Sequence, residues 1–329
     1  MNLTSPSQVK AWCIENGFHP NRTLGQNFLI DRNILEVILD TAGVAAGQRV
    51  LEVGPGLGVL TEAMLERGAR VTAIEKDARL AARLAGALGD PEGLEVIEVD
   101  ALQLDLDTLL GGGFDAFVSN LPYSVGTRIL LDVALHRCAP PTFTVLVQAE
   151  VAERFAAPPS TAARGQAGVW LQLDYDVRLV RAVKASCFWP RPEVGSMIVR
   201  LDRRGSDLTP QERDAFFALT RYAFTYRRKQ LASVLRKAPA PLGRDDASLT
   251  ALFAAADIAL TARAEELTNS QWQALARGFA GAESRGSRAR ASSPATTCHV
   301  NGCGMGVPPM KRTRAGCPCH TLVAWASRP

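Results

Sequence analysis

Short apolar runs alternate with amphipathic stretches from residue 31 to about residue 156. Apolar runs of about four to eight residues predict buried strands, and apolar positions spaced three or four residues apart predict helices. Strands are therefore predicted at 49–54, 70–75, 94–100, 114–120 and 142–148. Helices are predicted at 32–42 behind an Asp31 cap, at 58–67, 78–88 and 127–135, and from residue 149 onward. Strands that alternate with helices indicate a parallel sheet covered on both faces.

The pattern changes in the second half of the chain. Two apolar runs, 174–183 and 195–201, flank the proline-containing stretch 188–194 and predict a hairpin at one edge of the sheet. Beyond Asp202 the pattern is helical. Four helices are predicted, with Pro210 and Asp245 or Asp246 as start signals, at 209–224, 227–237, 245–256 and 263–280.

This pattern divides the chain into four parts. A polar N-terminal segment (1–30) precedes an α/β domain (31–202), a small all-helical domain (203–280) and a Ser-, Arg-, Gly- and Pro-rich tail (281–329). The tail shows no apolar periodicity, so we expect it to be disordered.

The net charge of +4 comes from the tail. Of 37 Lys and Arg residues seven lie in 281–329, against one of 33 Asp and Glu residues, which leaves 30 basic and 32 acidic residues in the body. Within the body, the stretch from Arg221 to Lys237 has no acid and six basic residues: Arg221, Arg227, Arg228, Lys229, Arg236 and Lys237. Such a local excess favours contact with a polyanion, although a solvated helix face would show the same pattern.

Cysteine usage and hydropathy indicate a cytoplasmic protein. The seven cysteines form no disulfide framework, and no apolar run of about 18 residues predicts a membrane span. Four cysteines lie in the tail, but their spacing does not match the usual zinc-binding pairs. We predict no metal site and interpret the tail as a non-functional extension.

The first strand-to-helix turn reads "EVGPGLG" and contains Gly54, Gly56 and Gly58. Glycines at this place let the backbone approach a ligand beside a helix N-terminus, although many such turns serve only packing. A third glycine in dinucleotide spacing would fall at Val59, so an NAD site is disfavoured. The spacing, preceded by Glu52, suits a cofactor that lacks a pyrophosphate.

Two acids end the next two strands. Glu75 can accept hydrogen bonds from both ribose hydroxyls of an adenosine group, and Asp100 from an adenine amino group. Either acid alone could simply be solvated, but both lie at the carboxyl edge of the predicted sheet. Together with the glycine turn they predict a nucleoside site.

The fourth strand ends in "NLPY", residues 120–123. Asn and Pro also occur in plain turns. At this edge, however, the Asn120 oxygen and the carbonyl region of Pro122 can accept both hydrogens of an exocyclic amine, such as adenine N6. That arrangement directs the nitrogen lone pair at an electrophile, while Tyr123 offers a face for base stacking. No basic catalyst is then needed.

Over residues 20–280 the chain resembles the KsgA/RsmA family of small-subunit (16S) ribosomal RNA adenine-N6,N6-dimethyltransferases. The resemblance rests on motifs in the family's order: "LGQNFLID", "VLEVGPGLGVLT", "IEKD", "VDAL", "NLPY", "VQAEVAERF", "FWPRPEVGS" and "YRRKQL". It implies a Rossmann-like, seven-stranded S-adenosylmethionine-dependent methyltransferase sheet with a small C-terminal helical domain. It also implies a monomer that dimethylates two adjacent adenines near the 3′ end of 16S rRNA within the small ribosomal subunit.

The resemblance also implies residue roles. Asn27 and Leu29 close over the donor, Gly54 lies against its amino-acid part, and Asp100 with Ala101 belongs to its adenine site. Gly56 and Glu75 complete the donor site. Asn120, followed by Leu121 and Pro122, lies between donor and target, and Phe188 and Tyr123 sandwich a flipped base.

The chain departs from the family pattern at three positions. Gln166 replaces a basic residue, Gly168 a serine and Gly195 an aspartate. Two other functions remain open from the sequence alone: a large-subunit (23S) rRNA adenine methylase of the erythromycin-resistance type, and a non-catalytic ribosome-assembly factor. The intact "NLPY" argues against the non-catalytic factor.

Overall fold

A computed structural model describes residues 1–20, 25–89 and 91–291. Its strands are β1 (Phe28–Leu29), β2 (Arg49–Val53), β3 (Arg70–Glu75), β4 (Leu94–Glu98), β5 (Ala116–Asn120), β6 (Thr142–Gln148), β7 (Tyr175–Val183), β8 (Phe188–Trp189) and β9 (Ser196–Arg203). Its helices are α1 (Pro6–Glu15), α2 (Arg32–Ala42), α3 (Val59–Glu66), α4 (Ala78–Ala87), α5 (Leu106–Gly111), α6 (Gly126–Ala134), α7 (Ala149–Ala156), α8 (Gln166–Asp174), α9 (Pro210–Thr225), α10 (Leu231–Arg236), α11 (Asp246–Ala255) and α12 (Asn269–Ala291).

Seven strands form one sheet in the order β4-β3-β2-β5-β6-β9-β7. The strands from β4 to β6 are parallel, and β9 is antiparallel to both of its neighbours. The predicted edge hairpin is therefore confirmed, with β9 as its inner strand. Because the chain moves outward from β2 to β4 and then returns to β5, the strand order reverses between β2 and β5. That reversal opens a crevice at their carboxyl ends, where open α/β sheets bind ligands.

Alternating side chains cover the two faces of the sheet. On β5, Phe117 packs with α5, α6 and α7, whereas Val118 packs on the opposite face with α2 and α3. The period of two residues in a strand produces this division, and it places helices on both faces as the sequence predicts. The α/β fold class is confirmed.

Helix α1 and strand β1, near the N-terminus, were not predicted. Helix α1 buries only Val9 and Cys13 of its ten residues, so its sequence carries little apolar periodicity. It packs with Phe18 and Phe28 against Leu57. Strand β1 pairs with β8 in a separate two-stranded sheet, and each strand is too short to give a pattern.

The helices after β9 enclose a second apolar core around Trp272, Phe216 and Phe253. Thr209 and Glu212 form a capping box at the start of α9, and the Asp245 side chain accepts a hydrogen bond from the Ser248 N–H at the start of α11. Helix α8, which was not predicted, contributes Val169 and Leu173 to this core. The helical core thus continues into the part of the chain that precedes the hairpin.

The predicted disorder from residue 281 is wrong for residues 281–291, which continue α12. This stretch contains three Ala and three Arg residues, which favour helices even without an apolar stripe. The rest of the predicted tail, 292–329 with its four cysteines, lies outside the described residues. Within the described part of the chain, none of the helices is long and apolar enough to cross a membrane.

Candidate active site

A cleft of about 340 Å³ lies at the carboxyl ends of β2, β3 and β5. Its volume is within the range of small-molecule sites. The lining includes all the residues predicted to bind the donor: Asn27, Leu29, Gly54, Gly56, Glu75, Asp100, Ala101 and Asn120. The fold therefore brings together side chains that are far apart in the sequence.

The turn between β2 and α3 requires glycine. Gly54 and Gly56 have φ values of +74° and +59°, in the left-handed region that favours glycine. A Cβ at Gly56 would lie 3.0 Å from the Phe28 ring, and one at Gly54 would lie 3.4 Å from the Pro122 side chain. The bare backbone thus forms one wall of the cleft.

Glu75 ends β3 and ties this turn in place. Its carboxylate accepts hydrogen bonds from the Gly56 N–H at 3.1 Å and from the Asp77 N–H at 2.9 Å. Burial raises the pKa of Glu75, while these N–H donors act in the opposite direction. A carboxylate has about four acceptor positions, so it can still accept bonds from ribose hydroxyls.

Asp100 follows β4 at the edge of the cleft. Its side chain accepts from the Leu102 N–H at 3.0 Å and pairs with Lys76 at 2.8 Å. The hydrogen bond from Lys76 is the largest of the effects that lower the pKa of Asp100. Asp100 is therefore ionised at neutral pH and is held in place beside Ala101.

Glu52 lies in the wall of the same cleft and is 1% exposed. The Thr61 hydroxyl donates a hydrogen bond of 2.6 Å to its carboxyl group. Burial raises the pKa of Glu52 to about 8, and the nearby charge of Glu75 adds to the rise. The sequence shows that an acid stands at this position, but it does not show that the pKa of this acid is raised.

Asn120 ends β5 and lies where the N-terminal segment meets the sheet. Its amide N–H donates to the Asn27 carbonyl at 3.0 Å, which leaves the side-chain oxygen as the group that can accept from an amine. The segment comes so close that a Cβ at Gly25 would lie 3.0 Å from the Tyr123 nitrogen. Gly25 was not singled out from the sequence, although it falls within a quoted motif.

The backbone of "NLPY" corrects one predicted contact. The Pro122 carbonyl accepts from the Gly126 N–H at 2.7 Å and from the Val125 N–H at 3.3 Å, so both of its lone pairs are engaged. Among the described residues, no hydrogen bond to the Leu121 carbonyl is found. The Leu121 oxygen, rather than that of Pro122, is the acceptor that remains beside Asn120.

The two aromatic residues differ in their surroundings. The Tyr123 hydroxyl lies 2.5 Å from the Ser196 hydroxyl on β9, which anchors the ring. Phe188, the first residue of β8, is 2% exposed and packs with Leu29 in the apolar core. The structure thus buries Phe188, whereas a ring that stacks on a base needs an exposed face.

The six predicted RNA-contacting cations fall into two groups. Arg227 pairs with Glu265 and donates to the Ala162 carbonyl, Arg236 pairs with Asp246, and the Arg221 guanidinium lies over the Trp170 ring. The other three are exposed, and no ion pair is found for them within the described ranges: Arg228, Lys229 and Lys237. A groove of about 550 Å³ beside Tyr226 includes Arg228 and Lys229 in its lining.

The segment that departs from the family pattern is tightly packed. A Cβ at Gly168 would lie 2.3 Å from the Arg154 carbonyl, so α8 approaches α7 too closely for a serine. Arg164 is buried and donates to the Ala157 carbonyl, to Gln172 and to Asn269 at the start of α12. Burial lowers its pKa to about 10. Arg164 was not predicted as a site residue, because nothing in the sequence pattern shows that this cation is buried.

A doubly covered sheet with a glycine turn and acids at the ends of β3 and β4 fits an adenosine cofactor without a pyrophosphate. The fold and this cleft define an S-adenosylmethionine-dependent methyltransferase. The ribosomal RNA adenine dimethylase family model matches residues 17–277. The chain belongs to the ribosomal RNA adenine dimethylase family.

Named relatives agree with this assignment. The ribosomal RNA small subunit methyltransferase A of Opitutus terrae is 39% identical, over 84% of this chain and 98% of its own. The protein of the same name from Deinococcus radiodurans is 42% identical, over 83% and 90%.

Two solved structures share the fold. A dimethyladenosine transferase from Plasmodium falciparum has a TM-score of 0.64 at 24% identity, over 74% of this chain and 94% of its own. The 23S rRNA methyltransferase ErmE has a TM-score of 0.58 at 28% identity, over 77% and 99%.

Proposed function

We propose that this enzyme transfers methyl groups from S-adenosylmethionine to N6 of two adjacent adenines near the 3′ end of 16S rRNA in the small ribosomal subunit. The observation that carries the proposal is that Asn120 lines the same cleft as Glu75 and Asp100. An amine bound at Asn120 would therefore meet the donor directly. The names of the curated relatives support the small subunit, and the lower identity to ErmE gives less support to 23S rRNA.

The donor is held by the carboxyl ends of three strands. Glu75 accepts from the ribose hydroxyls, Asp100 with Ala101 holds the adenine, and the backbone at Gly54 lies against the amino-acid part. Asn27 and Leu29 cover the donor from the N-terminal side. When bound, S-adenosylmethionine supplies an electrophilic methyl group.

Orientation of the target amine replaces acid–base catalysis. The Asn120 side-chain oxygen and the Leu121 carbonyl accept the two N6 hydrogens, so the lone pair points into the cleft. Pro122 stiffens this loop, and its own carbonyl caps the start of α6. Tyr123 supplies the stacking face for a base that has left its helix. In this proposal Phe188 supports the loop from the core by holding β8 against Leu29 of β1.

The helical part provides the basic surface for rRNA. Arg228, Lys229 and Lys237 are the cations placed to contact phosphates, while Arg227 and Arg236 hold the surface together through ion pairs. We also propose that the enzyme is a monomer and that it works in the cytoplasm on assembled or assembling small subunits. We further propose that the chain is divided into an N-terminal segment (1–30), a catalytic domain (31–202), a helical domain (203–280) and a tail.

The Asn120→Ala variant tests the role of the cleft. We expect methyl transfer to unmodified small subunits to fall at least about 100-fold, because the amine loses an oriented acceptor. Donor affinity, measured by calorimetry, should change less than about threefold, since the proposed donor contacts of Glu75, Asp100 and the Gly54 backbone remain. Asn33→Ala, an exposed asparagine on α2, is the matched control and should keep full activity. Wild-type-like transfer by Asn120→Ala would refute the proposed role.

A further inference from the structure

Glu52 is a buried carboxyl group without a counter-ion. It is 1% exposed, and its hydrogen-bond donor is the neutral Thr61 hydroxyl at 2.6 Å. None of the Lys, Arg or His residues in the described ranges forms an ion pair with it. A buried carboxylate without such a partner is costly, so a group in this position either stays protonated or awaits a cation.

The surroundings of Glu52 carry more negative than positive charge. Across the cleft, Asn27 and Asn120 are neutral, and the cation of the lining, Lys76, is already paired with Asp100 at 2.8 Å. Glu62 on α3 and Glu75 at the end of β3 are acids, and Glu75 is the charged group that acts on the pKa of Glu52. Arg49 and Arg70 lie at the opposite ends of β2 and β3, and Arg83 on α4 donates to the Leu57 carbonyl. The site is therefore built to receive a positive charge from outside the protein.

We propose that Glu52 distinguishes the positively charged methyl donor from its neutral thioether product. Its carboxyl group keeps a proton in the free enzyme and releases it to solvent when S-adenosylmethionine binds. This inference rests on the proposed function, because it assumes that the donor occupies this cleft.

The physical reason is the sulfonium charge. Burial raises the pKa of Glu52 to about 8, so at pH 7 most of the free enzyme carries the proton. A sulfonium in the cleft favours the carboxylate, and the proton passes to the buffer. After transfer the sulfur is neutral, so the carboxylate loses its partner and takes a proton back. The product is then held without this ion pair, which favours its exchange for fresh donor.

Proton counting by calorimetry tests the proposal without any turnover. S-adenosylmethionine and S-adenosylhomocysteine are titrated into the wild-type enzyme at pH 7 in phosphate and in Tris, whose ionisation enthalpies differ. We expect the donor to release most of one proton more than the product. Donor affinity should also rise by up to about tenfold per pH unit between pH 6 and pH 8, relative to product affinity.

Two variants separate the effect of Glu52 on ligand binding from that of the other residues of the cleft. Glu52→Gln keeps an acceptor for Thr61 but has no proton to release, so the difference between donor and product should vanish. Glu75→Gln is the control: its carboxyl group faces the ribose that both ligands share, so both should bind more weakly. Most of the difference should remain, because burial rather than the charge of Glu75 is the largest cause of the raised pKa of Glu52. Circular dichroism confirms that each variant is folded.

The outcomes are distinct. Equal proton release by both ligands in the wild type, or a difference that survives in Glu52→Gln, would overturn this inference and leave the proposed function standing. Absence of any binding by S-adenosylmethionine would overturn both.

Discussion

At the carboxyl end of β2, the protonation of Glu52 links the stability of the free protein to pH. The folded state raises the pKa of this group from 4.5 to about 8. The folded protein therefore holds the proton more tightly than the unfolded chain. Titration of Glu52 leaves the free energy of unfolding unchanged below about pH 4.5 and lowers it progressively as the pH rises toward 8.

This sign gives a prediction for the Glu52→Gln variant. Between pH 5 and pH 8 the wild-type free energy of unfolding should fall by up to about 1.4 kcal/mol per pH unit from Glu52 alone, and the variant should lack this contribution. Denaturant unfolding of both proteins at several pH values measures the difference. Parallel pH profiles for the two proteins would show that Glu52 is ionised in the fold.

Residue types at the site were predictable, but their hydrogen-bond partners were not. The acids at positions 75 and 100 and the amide at 120 follow from strand ends that meet at one edge of a parallel sheet. The occupied Pro122 carbonyl depends on how α6 begins, and the burial of Phe188 depends on the pairing of β8 with β1. Both are long-range or backbone features that residue patterns do not encode.

At the scale of elements, the contact between α7 and α8 depends on Gly168. Replacing it with Ala places a Cβ against the Arg154 carbonyl, at 2.3 Å before any relaxation, so the helices must move apart. We expect a loss of about 1–3 kcal/mol in the free energy of unfolding. Gly86→Ala on α4, where a Cβ meets nothing within 4 Å, is the control and should be neutral or stabilising. Equal effects of the two changes would contradict this packing.

The basic surface at the end of α9 divides into structural and exposed cations. Arg228→Gln and Lys229→Gln should each leave the melting temperature unchanged and reduce the slope of log affinity for small subunits against log salt by about 0.7–0.9. Arg227→Gln should instead lower the melting temperature, because it breaks the ion pair with Glu265. Filter binding at several salt concentrations and thermal unfolding separate the two effects. A drop in melting temperature for Lys229→Gln would contradict the division.

Strongly periodic elements were predicted within about two residues, whereas elements without apolar periodicity were missed. Strand β6 and helix α2 have the predicted bounds because each shows a clear period. Helices α1, α5 and α8 and the short strands β1 and β8 do not, since they form through contacts with distant parts of the chain. Helix α12 runs beyond its apolar stripe, because helix propensity extends it where periodicity ends.

At the scale of the whole molecule, the sheet and the helical core share α8. Its Leu171 packs in the core beside the sheet, while Val169 and Leu173 pack among α9, α11 and α12. Arg164 adds a polar link, because it donates to Asn269 at the start of α12. The donor cleft and the exposed cations therefore belong to one continuously packed body, which suits an enzyme that must place an rRNA adenine at a fixed point.

The most direct test of the central claim is analysis of the methylated nucleosides in rRNA. Unmodified small and large ribosomal subunits are incubated together with the enzyme and labelled S-adenosylmethionine, and each rRNA is digested and analysed by mass spectrometry. We predict N6,N6-dimethyladenine at two adjacent positions near the 3′ end of 16S rRNA and no label in 23S rRNA. Label in 23S rRNA alone, or no label in either rRNA despite donor binding, would contradict the account.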